Sequence, residues 1–120
     1  MRVEDLVVYK KLYKLALEVN ELSMSFPKFE LYELGSQLRR SSNSAPANLV
    51  EGFGNKHTNI YLESINRAQG EIRETKHHLK MAYDKKYIEK EKLNYFMKSY
   101  EECSKMLYGL EQSLLEKHKK

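Results

Sequence analysis

The sequence predicts an all-α protein: an up-and-down antiparallel four-helix bundle, folded as one domain over residues 1–120. Three observations carry that prediction. Apolar residues recur in alternating steps of four and three along four separate segments, which places one seam along each of four helices. The stretches between them, such as "PKFE" and "DKKYIEK", are short, so consecutive helices must fold back on each other. With only 2 prolines and 5 glycines in 120 residues there is little material for turns, and 41% hydrophobic residues suffice for one core but not for two.

The first helix is expected at about 5–26. Its seam is Val8, Leu12, Leu15, Val19, Leu22 and Phe26, and Pro27 ends it by removing a donor and forcing the preceding residue out of the helical region. The second, about 30–53, carries Leu31, Leu34, Leu38, Ser41, Ala45, Leu49 and Gly52 or Phe53, so its middle is lined by small residues that let a neighbouring backbone come close. Pro46 lies inside it, at a cost of about 3 kcal/mol in a free helix. Ser41, Ser42, Asn43 and Ser44 can satisfy the carbonyls this releases, which predicts a kinked second helix, with a break into two shorter helices as the alternative. Gly52 and Gly54 are expected to supply the left-handed turn that closes it.

The third helix, about 58–84, has the seam Tyr61, Ile65, Ala68, Ile72, Thr75, Leu79 and Ala82, with Thr58 or Asn59 as its cap. The fourth, about 89–117, has Leu93, Phe96, Tyr100, Cys103, Leu107, Leu110 and Leu114, and starts at Ile88-Glu89-Lys90 without a serine or aspartate cap. Seams this regular suit helices packed lengthwise, side chains of one fitting between those of the next.

Composition narrows the function classes. No apolar run approaches the roughly 20 residues of a membrane span, and a single cysteine rules out an internal disulfide framework, so a cytoplasmic protein with no membrane partner is expected. A net charge of +4 permits a polyanionic partner without requiring one. "EGFGN" has neither the spacing nor the Lys-Ser/Thr of a phosphate-binding loop.

The segments "FPK", "SQLRR", "PAN" followed by "EG", and "AQGEIRE" together resemble the four-helix-bundle family of 23S rRNA intervening-sequence proteins, also labelled S23 ribosomal proteins, over about residues 6–115. "SSNSAPANL" departs from the more apolar small residues usual there. The resemblance implies a ring-like homo-oligomer, typically a homopentamer, with a poorly defined role. A related branch, the accessory proteins of diversity-generating retroelements, implies a basic ring that binds nucleic acid and a reverse transcriptase.

The residues themselves offer three candidate surfaces. Lys10, Lys11 and Lys14 on the first helix, Arg40 on the second, and Arg67, Arg73, Lys76 and Lys80 on the third are the candidate phosphate contacts, although Glu71 and Glu74 interrupt the stripe made by the last three. Asn48 and Glu51, with either Arg39 or Arg67, are expected to form a polar network at a helix or subunit interface, because polar groups among small residues must be hydrogen-bonded. Tyr9, Tyr13, Tyr32, Tyr83, Tyr87, Tyr95 and Tyr108 fall off or at the edges of the seams and suit a protein interface, whether with copies of the chain or with an adaptor's partner such as a polymerase.

Glu74 and His77 have Glu-x-x-His spacing, with Glu71 and His78 nearby, but a two-metal bundle site needs a second such motif and further inward carboxylates. Cys103 occupies a seam position and reads as core, and His57 and His118 as surface residues. No catalytic residue, metal or cofactor is predicted. The expected activity is non-catalytic association with RNA or DNA by a self-associating bundle.

Overall fold

The computed structural model describes residues 1–119, with side chains through Lys117; the His118 side chain lies outside that range. The described residues form four long helices: α1 (Val7–Ser23), α2 (Leu34–Gly52), α3 (Thr58–Asp84) and α4 (Lys90–Lys119). Short 3-10 turns at Val3–Asp5 and Lys28–Glu30 precede α1 and α2, and the described residues contain no strand.

Each seam turns inward. Leu12, Val19, Leu38, Ala45, Leu49, Ile65, Ala68, Ile72, Leu79, Ala82, Tyr100, Cys103 and Leu107 are completely buried, so one apolar core runs the length of the molecule. Consecutive helices pack together and α1 also packs on α4, which closes the square. Residue pairs across the helix contacts run in opposite directions. Ser41 faces Thr75 while Gly52 faces Ser64, and Lys11 faces Glu102 while Glu18 faces Tyr95, so these neighbours are antiparallel.

The ends of the first two helices differ from expectation. The α1 helix stops at Ser23, three residues short, where the Ser23 and Ser25 hydroxyls donate to the carbonyls of Asn20 and Leu22. Such local bonds compete with helix propagation. Phe26 nevertheless remains in the core, carried there by the turn, and packs against Tyr87 with ring centroids 5.2 Å apart. The α2 helix starts at Leu34, because residues 28–30 wind into the tighter 3-10 turn after Pro27.

Through Pro46 the helix is continuous, so the two-helix alternative fails. The two glycines at its end do different things. Gly54 has φ +67 and makes the left-handed turn, whereas Gly52 closes the gap to α3. A Cβ on Gly52 would stand 2.2 Å from both Cβ and Oγ of Ser64. The start of α3 also differs: His57 occupies the cap position, and its backbone N–H donates to Oδ1 of Asn55 at 2.8 Å, so neither Thr58 nor Asn59 is the cap.

The third helix ends in a motif that leaves no glycine signature. The backbone N–H of Lys86 donates to the Tyr83 carbonyl at 2.8 Å and that of Tyr87 to the Ala82 carbonyl at 2.9 Å, the paired bonds of a Schellman cap. Its left-handed residue is Lys86, with φ 68.

Candidate nucleic-acid interface

Two polar clamps hold the bundle end where the α1–α2 and α3–α4 turns meet. In the first, Glu30 is buried at 2% exposure and its carboxylate accepts from Lys85 Nζ at 2.8 Å, Tyr87 OH at 2.7 Å and the Leu34 backbone N–H at 3.3 Å. A left-handed Lys86 between Lys85 and Tyr87 lets both neighbours reach one carboxylate. Hydrogen bonds from Lys85 and then Tyr87 hold the Glu30 carboxyl below its ordinary range, against the opposing effect of burial. The same carboxylate raises the Lys85 ammonium and the Tyr87 phenol.

Arg39 makes the second clamp. Its guanidinium donates to Ser23 Oγ at 2.9 Å and to the Leu31 carbonyl at 2.6 Å, tying the end of α1 to the turn before α2. Gly35 makes room for it, since a Cβ there would meet the guanidinium at 3.0 Å and the Glu30 carbonyl at 2.9 Å.

The expected network of Arg39, Asn48, Glu51 and Arg67 does not form within the chain. Asn48 Nδ2 donates to the Ser44 carbonyl at 2.8 Å, Arg67 pairs with Glu63 at 3.3 Å, and Glu51 is exposed. The reason is angular: nine residues separate Arg39 from Asn48, which at 100° per residue puts them on opposite sides of one helix. What joins α2 to α3 in the core is instead a hydroxyl pair, Thr75 Oγ1 and Ser41 Oγ, 2.8 Å apart.

The eight candidate phosphate contacts do not make one stripe. Arg40 bridges Glu74 and, at 3.4 Å, Glu71. Lys80 pairs with Asp84 at 2.9 Å, Lys76 with Glu101 at 3.3 Å and Lys11 with Glu102 at 3.8 Å, while Arg67 is taken by Glu63. An adjacent carboxylate cancels most of the field such a cation offers to a phosphate. That leaves Lys10, Lys14 and Arg73 exposed with no acidic partner within 4.0 Å among the described residues.

Two further cations of the same kind, Lys98 and Lys105, stand on α4 between the flanks of α1 and α3. Seven residues apart, they share one outward face. Lys105, Arg73 and Tyr108, whose side chain is 61% exposed, line a groove between α3 and α4, together with Glu101 and Glu111. Sequence reading passed over both lysines because they sit on no seam and near no motif. Their i,i+7 spacing was the available signal.

Around Glu74 the arrangement is an ion-pair cluster. Arg40 meets Glu74, whose Oε2 also lies 3.9 Å from His78 Nε2, and the His77 and His78 rings are 5.2 Å apart. His78 is buried, and burial, aided by the charge of His77 and Arg40, pushes its imidazole below the ordinary value. No group of three or more His, Cys, Asp or Glu is placed to hold a metal among the described residues. Burial likewise pushes the Cys103 thiol up to about 11, consistent with its seam position.

The tyrosines divide. Tyr9, Tyr83 and Tyr87 are half-buried, while Tyr13, Tyr32, Tyr95 and Tyr108 are exposed, with Tyr95 OH donating to the Glu18 carboxylate at 2.7 Å. Tyr13 and Leu17 on α1 and Met24 at its C-cap, each more than half exposed, follow one side at helical spacing. No described helix is long and apolar enough to cross a membrane.

A family model described as 23S rRNA-intervening sequence protein matches residues 4–109. The chain matches no curated protein.

Proposed function

From the premise that this chain belongs to the 23S rRNA-intervening sequence protein family, which the match across residues 4–109 establishes, we propose that it is a non-catalytic, self-associating cytoplasmic bundle that binds RNA through phosphates. The observation that carries the reading is a group of exposed cations without carboxylate partners: Arg73 and Lys105 lining the α3–α4 groove, Lys98 on the outward face of α4, and Lys14 on α1. Contacts of this kind track a backbone and ignore sequence. Binding is therefore salt-sensitive and shared by RNAs of unrelated sequence.

Filter binding with single-stranded RNA over a salt series tests this. The doubly reversed variant Arg73→Glu/Lys105→Glu should lose about tenfold or more in affinity and lower the salt slope by about 2. Affinity that ignores salt, or a variant equal to the wild type, overturns the reading.

Self-association rests on the Tyr13, Leu17 and Met24 stripe, an apolar surface that water leaves uncompensated. A closed ring of copies, a pentamer by family likeness, would cover it and multiply each weak phosphate contact. Light scattering coupled to size exclusion should find an oligomer that Leu17→Glu splits. A monomeric wild type at micromolar concentration removes the ring. The second reading, an adaptor for a polymerase or reverse transcriptase, draws on the exposed tyrosines.

A further inference from the structure

We propose that the groove between the end of α1 and the start of α4 is a docking site for a basic amphipathic segment of a partner protein. Four carboxylates rim it: Glu18 and Glu21 from α1, Glu89 before α4, and Glu91 in its first turn. None has a Lys or Arg partner within 4.0 Å among the described residues, and the one cation in the lining is Lys92. Elsewhere most helix-face acids are neutralised by neighbours, so the groove lining carries a local excess of negative charge on a chain whose net charge is +4, with Lys86 and Lys90 beside Glu89 on the far side of the rim.

Between the carboxylates the lining is largely apolar: half-buried Leu22 and Tyr87 and the Tyr95 ring, 44% exposed, form its accessible surface over a floor of buried Ile88 and Phe96. The edge is held in place. Tyr95 OH donates to both Glu18 oxygens, at 2.8 and 2.7 Å, and its ring meets Phe96 edge-on at 5.1 Å.

Charge complementarity selects the occupant. A nucleic acid would bring phosphates against four carboxylates, and among the described residues the acids do not converge on a metal-sized point. A helix with Leu or Phe on one face and Lys or Arg along its edges satisfies both parts at once, its apolar side chains on Leu22 and the Tyr87 and Tyr95 rings and its cations on the carboxylate rim. The groove is separate from the phosphate-binding surface proposed above, so both partners can be held together.

The test uses the full chain and three fluorescent 18-residue peptides, read by anisotropy at low and high salt. One is a Leu/Lys amphipathic helix, one has its Leu replaced by Ser, and one has its Lys replaced by Glu. The first should bind, and should weaken by about tenfold or more both with the Ser peptide and with the exposed triple variant Glu21→Lys/Glu89→Lys/Glu91→Lys, whose melting curve checks its fold. Amide shifts on binding should centre on residues 18–25 and 87–96. Equal binding of the Ser or Glu peptide, a triple variant with wild-type affinity, shifts centred elsewhere, or RNA binding that the triple variant abolishes would each overturn the proposal.

Discussion

Gly52→Ala is the sharpest test of the packing. The added Cβ stands 2.2 Å from Cβ and Oγ of Ser64, where ordinary contact begins at 3.4 Å, so α2 and α3 must separate by about 1.2 Å at that end. A Cβ cannot rotate away as the end of a long side chain can. Overpacking of this kind costs about 3 kcal/mol, and the helix propensity gained on replacing glycine returns about 1, leaving a net loss of about 2 kcal/mol.

With an unfolding entropy near 2.1 cal/mol/K per residue, about 0.25 kcal/mol/K for the chain, Tm should fall by about 8 °C. Urea and thermal melts followed by circular dichroism, at one protein concentration, measure it. Gly109→Ala is the internal control: its Cβ meets nothing within 4 Å on an exposed helix face, so it should gain about 1 kcal/mol. Ser64→Gly should partly rescue Gly52→Ala with a coupling of about 1 kcal/mol or more, whereas Ser64→Ala, which keeps the offending Cβ, should not. A Gly52→Ala protein as stable as the Gly109→Ala control would refute the close approach.

Further expectations concern the clamps and the core. Because the Glu30 carboxyl titrates below its usual 4.5 when folded, the stability it contributes is present above that value and is lost as pH falls through the lower folded value; Glu30→Gln should lower Tm at neutral pH and flatten the acid limb of a Tm-against-pH plot. Arg39→Ala leaves the Leu31 carbonyl and Ser23 hydroxyl without their charged donor and should cost about 2 kcal/mol in a urea melt, with Arg39→Lys recovering part at most. Lys86→Gly relieves a left-handed lysine and should raise stability by about 0.5 kcal/mol, glycine's extra unfolded-state freedom offsetting part of the gain. Cys103, with its thiol near 11 and buried, should react with a thiol reagent at pH 8 only on unfolding.

Much of the fold was legible because helix periodicity is local. Whether Leu38 and Leu49, or Ile65 and Ile72, share a face follows from the geometry of one helix, and all four are completely buried. The bounds of α3 follow from the same pattern, and it runs over Thr58–Asp84 as expected. Helix ends were less legible, since Ser23, Ser25 and the 3-10 turn at Lys28–Glu30 decide them by individual hydrogen bonds.

The pattern of amino acids alone determined four amphipathic helices and the residues that form their common core. Tertiary structure decided which charges meet. Glu30 finds Lys85 and Tyr87 more than fifty residues away, Arg40 is taken by Glu71 and Glu74, and Gly52 is reserved for Ser64. Side-chain partners across helices depend on the register in which separate rods dock, and that register is set by turn geometry and core packing, which no spacing along one helix encodes.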